Sequence, residues 1–582
     1  MGPVNGFPVD VRRRRATTLA FALACVAAVA GSVAGVGIGA STAAGRPAPD
    51  VILRNAEVLT MDSRQARATA IAITDERISA VGSDRRVATT AGPRTRVVNL
   101  RGRTVVPGLI DGHTHAIRGG QTFAQETYWL DETSLESALQ KLGAEAAAKG
   151  PEQWTTVIGS WHPNQFSEGR APTVADLNEA APDRPVYVQY LYDYALINDA
   201  GIEALGLNDP QPQPPAAGIV VERDQDGNAT GRLTGGIGPF NALVGRLLPA
   251  TPAERKDSLE SYFGELSKSG VTGFIDDSAG PSSAYDALYA LADEDRLDLR
   301  AGYRIPAQAP GNESAFFEQV MSFRPPKQPD GEIPFIGIGE SIVFGVNDGV
   351  RYSPGFQSTP EAQQELREVA TYAASRRIPL EIHAYNDDTA SQILSVFEEI
   401  DQTYPIGDLR WAMAHLNTGS PQTIARMKAL GMAYSVQMGP YFEAPQIRDG
   451  WGEEVAKRAA VREAIDQGVP VAGGTDATRV GDFRVWPAVE FQVTGASAGN
   501  AVIRPPDQRL NRLEALRAYT QGSAWLASDN DDRGTLRTGK LADIAVLDAP
   551  YMKVPKAEIG DLRSILTMRG GEAVYDRRGL LD

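Results

Sequence analysis

The sequence is poor in cysteine and in histidine. Its 582 residues include one cysteine, Cys25, and five histidines. Cys25 lies in an apolar N-terminal segment, so a chain cleaved near Ala43 or Ala44 would keep no thiol, which excludes disulfides and cysteine catalysis. Lysine and arginine total 57 against 73 acidic residues, and the net charge is −16. No nucleic-acid partner is expected, because binding to phosphates requires a positive surface.

The first 45 residues have the features of an export signal. A basic cluster, Arg12 to Arg15, precedes the apolar run TTLAFALACVAAVAGSVAGVGIGA, and the small residues of STAAG follow. Paired arginines before a weakly hydrophobic segment resemble a twin-arginine signal. The apolar run approaches the length of a membrane span, although its glycines and serines weaken that interpretation. We expect an exported protein, secreted or at the cell surface, with a membrane anchor as the alternative.

The order of strand-like and helix-like segments predicts an α/β barrel. Between residues 106 and 530, short β-branched runs such as VTGFIDDS and LRWAMAHL alternate with amphipathic stretches such as EAQQELREVATYAASRR. There are more strand candidates than a barrel needs, and a DG turn predicts an inserted hairpin near residues 216–233. Residues 46–105 and 531–582 are also rich in strand-like runs, which predicts one small β domain built from both termini.

Four of the five histidines fall at the ends of strand candidates. His113 and His115 stand two apart in VVPGLIDGHTHA, and residues two apart on a strand share one face. His383 closes IPLEIH, His415 closes LRWAMAH, and Asp476 closes VPVAGGTD. Because the C-terminal ends of barrel strands meet at one mouth, these side chains are predicted to converge on a metal centre.

The fifth histidine, His162, does not follow this pattern. It lies in SWHPNQF, away from the strand ends that carry the other four. It either lines the substrate mouth or is an ordinary loop histidine.

Together these motifs resemble the metal-dependent amidohydrolase superfamily. VVPGLIDGHTHA, LEIHAYND, WAMAHL and GGTDA stand in the superfamily's order, and APTVADLNEAAPDRPVYV is similar to amidohydrolase family 3, the YtcJ-like branch that includes N-substituted formamide deformylases. The resemblance covers Asp50 to Leu547. It implies a distorted TIM (β/α)8 barrel with a small β-sandwich made from both termini. It also implies one or two divalent metal ions, usually zinc, held by His113 and His115 from the first strand, His383 and His415 from the fifth and sixth, and Asp476 from the eighth.

The segment after the fourth strand departs from the family pattern. Binuclear members bridge their two metals with a carboxylated lysine or a glutamate, and family 3 members often carry a lysine here. No lysine lies between Pro334 and Arg351, which leaves Glu340 as the candidate bridge. A carboxylate has two oxygens that suit such a role. The alternative is that Glu340 only hydrogen-bonds to a ligand histidine.

A second departure concerns the residues expected to contact substrate. Relatives commonly carry Asp, Gly and His where this chain has Tyr192, Asp193 and Tyr194. Tyr194 can donate a hydrogen bond but cannot act as a base at neutral pH. The resemblance therefore does not transfer a substrate to this chain.

The function implied by the resemblance is hydrolysis of a carbon–nitrogen bond other than a peptide bond, in a small amide or N-formyl compound. The metal would lower the pKa of a bound water to about 7. Asp476 would accept the proton of that water and deliver it to the leaving amine. Tyr194 or His162 would donate a hydrogen bond to the developing oxyanion.

Two alternatives to this function stay open. One is a mononuclear deaminase of the same superfamily, with no bridge at Glu340. The other is an exported binding protein without turnover. The sequence also leaves the oligomeric state open, a homo-oligomer included.

Overall fold

The structure, a computed structural model, describes residues 47–277, 283–322 and 333–581. The predicted export signal, residues 1–45, lies outside the described residues, so export stays a prediction. Within the described ranges, none of the helices is long and apolar enough to cross a membrane.

The strands and helices alternate along the middle of the chain as predicted. In chain order, the strands are β1 (Val51–Arg54), β2 (Glu57–Leu59), β3 (Arg67–Ala68), β4 (Ala70–Thr74), β5 (Arg77–Gly82), β6 (Arg96–Asn99), β7 (Thr104–Pro107), β8 (Leu109–Thr114), β9 (Thr155–Ile158), β10 (Val186–Tyr190), β11 (Tyr194–Ile197), β12 (Val220–Arg223), β13 (Ala229–Thr234), β14 (Val271–Asp276), β15 (Arg300–Ile305), β16 (Phe335–Ile338), β17 (Glu381–Ala384), β18 (Ala412–His415), β19 (Ala433–Val436), β20 (Val471–Gly473), β21 (Ile544–Leu547), β22 (Ser564–Arg569) and β23 (Glu572–Asp576). The α-helices are α1 (Asp84–Ala88), α2 (Ala116–Gly120), α3 (Leu135–Ala148), α4 (Val174–Ala180), α5 (Asp199–Ala204), α6 (Ile237–Leu247), α7 (Pro252–Lys268), α8 (Asp286–Asp293), α9 (Glu313–Ser322), α10 (Pro360–Ser375), α11 (Asp387–Asp401), α12 (Pro421–Ala429), α13 (Gly439–Trp451), α14 (Glu453–Lys457), α15 (Ala460–Gln467), α16 (Val485–Thr494), α17 (Arg512–Arg517) and α18 (Ser523–Leu526).

A closed ring of parallel strands forms the barrel. β8, β14, β15 and β16 pair in parallel in that order, and β17, β18, β19 and β20 do the same. A parallel bridge between Ile338 and Leu380 joins the two halves. The ring closes where the Asp476 N–H donates to the His113 carbonyl at 3.0 Å and the His115 N–H donates to the Ala477 carbonyl at 2.9 Å. The predicted α/β barrel is confirmed.

Glycines allow the last barrel strand to approach the first. A Cβ on Gly474 would lie 2.6 Å from the Cβ of His113 and 2.7 Å from its backbone nitrogen and oxygen. A Cβ on Gly112 would lie 2.9 Å from the carbonyl oxygen of Gly473. No side chain fits at such distances, so the glycines of IDGHTH and AGGTD hold two ligand-bearing segments together.

The two ends of the chain form the small β-sandwich. One sheet has the order β5-β4-β1-β6, and the other has the order β23-β22-β21-β7-β2-β3. β21 lies antiparallel to β7, so that Val546 pairs with Val105, and strands from both termini share the second sheet. Buried aliphatic side chains from both sheets, such as Leu53 and Ile565, fill the space between them. The predicted sandwich built from both termini is confirmed.

A five-stranded sheet is inserted between the first and second barrel strands. Its order is β12-β13-β11-β10-β9. The strand candidates TTVIGSW and RPVYVQYL belong to this insertion, which accounts for the surplus of strand-like segments. β12 and β13 form an antiparallel hairpin in which Val220 pairs with Thr234.

The helices around the barrel begin at capping residues visible in the sequence. The Thr251 side chain accepts the Glu254 N–H, and the Glu254 carboxylate accepts the Thr251 N–H, so two otherwise unpaired donors at the start of α7 are satisfied. Thr359 and Ser420 cap α10 and α12, each followed by proline at the first helical position. These local signals explain why the helix-like segments were recognisable.

Candidate metal centre

Four buried histidines meet at the C-terminal mouth of the barrel. His113 lies in β8, and His115 follows it just before α2. His383 lies in β17, and His415 ends β18. The ring centroids are 5.6 Å apart for His113 and His115 and 4.5 Å apart for His383 and His415. The parallel topology therefore brings together histidines that are far apart in the sequence.

Glu340 lies between these histidines. It follows β16, the fourth barrel strand. Its Oε2 lies 2.9 Å from His415 Nε2 and 3.1 Å from His383 Nδ1. Its Oε1 lies 3.4 Å from His115 Nε2. The two carboxylate oxygens thus face different histidines.

Asp476 completes the donor set from the end of the last barrel strand. Its Oδ1 lies 3.0 Å from His115 Nε2 and 3.7 Å from His113 Nε2. The donors fall into two sets: His113, His115 and Asp476, which lie close enough together to share one ion, and His383 with His415, which both lie within 3.1 Å of Glu340 Oε2.

Two of these residues have an uncommon backbone conformation. His415 has φ 69° and Asp476 has φ 59°, in the left-handed region that costs a residue with a side chain about 1–2 kcal/mol. Such conformations persist where the surrounding structure determines them, and they cluster at functional sites. Here the sharp turn follows directly after a strand and places each side chain in the mouth of the barrel.

The donor atoms fit a divalent cation. The Nε2 atom of His113 is buried without a hydrogen-bond partner, 3.8 Å from Glu340 Oε2 and 3.7 Å from Asp476 Oδ1. Ligands that each lie about 2.0–2.2 Å from a zinc ion stand roughly 3.3 Å apart in a tetrahedral arrangement. Imidazole nitrogens and carboxylate oxygens are also the ligands that such ions prefer. The spacing and chemistry of the donors are thus those of a metal site.

Charge in the site also suits a cation. Burial alone would raise the pKa of Glu340, but the His113 charge and hydrogen bonds from three other histidines hold this pKa well below its usual value. Burial alone would lower the pKa of His383, but Asp348 and Glu340 raise it to about 10. The carboxylates therefore stabilise positive charge in the mouth of the barrel.

Three further charged residues form a network on the Nδ1 side of the His113 ring. The Oε1 of Glu381 lies 2.5 Å from His113 Nδ1. The Arg304 guanidinium lies 3.0 Å from Glu381 Oε2 and 3.2 Å from Asp277 Oδ2. A carboxylate on Nδ1 orients the ring and leaves Nε2 for a metal. None of these three residues was predicted from the sequence, although the acidic residue inside the apolar strand candidate IPLEIH was a usable signal.

Five of the six predicted metal ligands, all except His113, line a cavity of about 720 Å³. This volume lies within the range typical of small-molecule sites. Glu443 also lines it, is 2% exposed, and accepts hydrogen bonds from the hydroxyls of Tyr352 and Tyr385. Burial raises the pKa of Glu443 to about 8. The cavity therefore contains a carboxyl group that holds its proton at neutral pH.

His162 and Tyr194, the predicted substrate contacts, lie apart from the metal ligands. His162 Nδ1 accepts the Asn164 N–H at 3.1 Å, and burial lowers the pKa of His162 to about 4. The ring of Tyr194 lies 4.0 Å from the Arg232 guanidinium carbon. Among the described residues, Tyr192 rather than Tyr194 lines the cavity.

Comparison with known proteins gives consistent results at the level of sequence and fold. The sequence profile of an amidohydrolase family matches residues 96–575. The N-substituted formamide deformylase of Arthrobacter pascens is 26% identical over 559 residues, which cover 91% of this chain and 99% of that protein. A crystal structure of a metal-dependent hydrolase from Pyrococcus furiosus superposes with a TM-score of 0.60 at 21% identity, covering 86% of this chain and 100% of that chain. The zinc-complexed atrazine chlorohydrolase TrzN of Arthrobacter aurescens TC1 superposes with a TM-score of 0.50 at 17% identity, covering 90% and 95%.

Proposed function

We propose that this chain, which belongs to the amidohydrolase family and is a hydrolase of carbon–nitrogen bonds, cleaves small N-acyl or N-formyl amines at a two-metal centre. The position of Glu340 carries the proposal, because its two oxygens lie within 3.4 Å of three histidines that belong to two donor sets. The N-substituted formamide deformylase named above is the relative that suggests this class of substrate.

Zinc is the metal that we propose for this centre. Zinc in proteins combines histidine nitrogens with carboxylate oxygens, as the donors do here. The TrzN structure supports the choice, since it is a complex with zinc.

Asp476 is the residue proposed to move protons. When a divalent metal is bound at this site, it supplies a water activated at neutral pH and polarises the substrate carbonyl. Asp476 accepts a proton from the attacking water at its carboxylate and passes the proton to the leaving nitrogen. Burial would raise the pKa of this carboxyl, but the neighbouring His113 and His115 hold it below the usual value, so that Asp476 begins as a base.

The proposed bridge predicts the metal content of the protein. Elemental analysis of the purified chain is expected to find about two ions per chain. The Glu340→Ala variant is expected to retain at most one, because each donor set loses the Glu340 oxygen that faces it. Glu361, which lies in the first turn of α10 and outside the cavity, provides the control substitution Glu361→Ala, and this variant should keep the wild-type content.

Other metal contents would point to the alternative functions. One ion per chain, unchanged by Glu340→Ala, would contradict the bridge and favour the mononuclear deaminase. No bound metal under metal-replete conditions would favour a binding protein without turnover.

We also propose that the chain is exported through its N-terminal segment. The basic cluster and the weakly hydrophobic run support this, as does the cleavable sequence STAAG. After expression in a bacterium with a twin-arginine pathway, the protein is expected outside the cytoplasm with a new N-terminus close to Gly45. Full-length protein confined to the cytoplasm would contradict export, and full-length protein in the membrane fraction would indicate an anchor.

A further inference from the structure

Arg118 lines the catalytic cavity without a protein partner for its charge. It lies in α2, one helical turn after His115. Its Nε is buried and makes no hydrogen bond, and no carboxylate forms an ion pair with it in the described part of the chain. Two fully buried arginines are paired with carboxylates: Arg304 with Asp277, and Arg479 with Glu126. Arg118 therefore lacks the carboxylate partner that Arg304 and Arg479 have.

Tyr192 presents a second unpaired donor in the same cavity. Its hydroxyl is buried and has no hydrogen-bond partner among the described residues. The Arg118 guanidinium carbon lies 5.8 Å from the centroid of the Tyr192 ring, so both groups are on one wall. Leaving a buried donor unpaired destabilises a protein, and such donors therefore point to an acceptor that the ligand brings.

The charge distribution indicates the chemistry of that acceptor. Among the described residues that line the cavity, Arg118 is the only lysine or arginine, whereas Asp277, Glu340, Asp348, Glu443 and Asp476 are acidic. A negatively charged group on a ligand would be repelled by the ionised carboxylates of Glu340, Asp348 and Asp476 and attracted to Arg118. The planar guanidinium also matches a carboxylate, since it offers parallel N–H donors to two oxygens.

We propose that Arg118 and Tyr192 bind a carboxylate of the substrate, so that the preferred substrates are N-acyl or N-formyl amino acids rather than simple amides. This inference rests on the proposed hydrolase function and names its substrate class. Bound in this way, the substrate keeps its acid group at the Arg118 wall while its amide faces Glu340 and Asp476. The two residues determine specificity and take no part in proton transfer.

The test compares two compounds that differ only in the carboxylate. N-formylphenylalanine and N-formylphenethylamine are assayed with the metal-loaded enzyme, and kcat/KM for the acid is expected to be higher. R118M should lower kcat/KM for the acid by roughly 10- to 100-fold, because the acid loses a hydrogen bond between its carboxylate and Arg118. The neutral compound makes no such bond, so its kcat/KM should fall by less than about threefold. Y192F should lower kcat/KM for the acid by about three- to tenfold.

A matched control is available on the surface. The Arg376 guanidinium carbon lies 4.0 Å from the centroid of the Tyr372 ring, in the same type of contact but outside the cavity. R376M should therefore leave the preference between the two compounds unchanged. An equal loss for both compounds in R118M, or a wild-type preference for the neutral compound, would overturn the inference.

A binding measurement separates this inference from the proposed reaction. Calorimetric titration with 3-phenylpropionate should show binding to the metal-loaded wild type and at least tenfold weaker binding to R118M. If the enzyme hydrolyses neither formyl compound yet shows this difference, the carboxylate site stands and the proposed hydrolysis fails. Equal binding to both proteins, or no binding to either, would overturn the carboxylate site itself.

Discussion

Replacing Asp476 with asparagine is expected to lower kcat by about 10²- to 10⁴-fold, the range that general acid–base catalysis contributes. Asparagine keeps an oxygen in place of Oδ1, which lies 3.0 Å from His115 Nε2, but it cannot accept the proton of the attacking water. Metal content should therefore stay close to that of the wild type while turnover is lost. Asp476→Ala should remove the same proton acceptor and also one metal donor.

The measurement for Asp476 pairs steady-state kinetics with elemental analysis of the same preparation. Asp449 is a suitable control, because its side chain is 75% exposed and lies outside the cavity. Asp449→Asn should retain full activity. Full activity in Asp476→Asn would show that another group takes the proton, and loss of metal in that variant would assign the effect to coordination.

Replacing Arg304 with methionine is expected to lower the free energy of unfolding by about 3–5 kcal/mol, the cost of removing one partner from a buried charge network. Arg304 is 1% exposed and lies between Asp277 and Glu381, whose side chains are 0% exposed. Methionine fills similar volume but leaves both carboxyls without the guanidinium. Urea unfolding of the metal-free wild type and variant measures the difference.

The loss in Arg304→Met should depend on pH. Burial raises the pKa of Asp277 to about 7 even though Arg304 opposes the shift, so removing the guanidinium raises this pKa further. A carboxyl whose pKa is higher in the folded state than in the unfolded state favours folding less as the pH rises. The loss in unfolding free energy of the variant relative to the wild type is therefore expected to be larger at pH 8 than at pH 6.

A surface ion pair provides the control for Arg304. Arg377 lies 2.6 Å from Asp408, and the two side chains are 63% and 69% exposed. Arg377→Met should change the free energy of unfolding by less than about 1 kcal/mol, because exposed pairs contribute little. Similar losses in the two variants would show that burial of the Arg304 network carries no special cost.

The pattern of the sequence was enough to predict the barrel and most residues of the candidate metal centre. The alternation of strand and helix patterns predicts parallel strands, and parallel strands place their C-terminal ends at one mouth. Because His113, His383, His415 and Asp476 each stood at the end of a strand candidate, topology alone was enough to predict that they converge. Glu340 followed from the resemblance to the family, not from the pattern.

The residues that surround this candidate centre became evident only in the folded structure. Glu381 hydrogen-bonds to a histidine 268 positions away, and no local pattern identifies a partner at that separation. The fold also determines that Tyr192, and not Tyr194, lines the cavity. Tyr194 pairs with Tyr190 across the β10–β11 hairpin, while Leu191, with φ 47°, turns the chain so that Tyr192 faces the cavity. Ligands at strand ends can be predicted from the periodicity of the sequence. Supporting contacts and cavity walls depend on which distant segments pack together, and no local pattern in a single sequence identifies those segments.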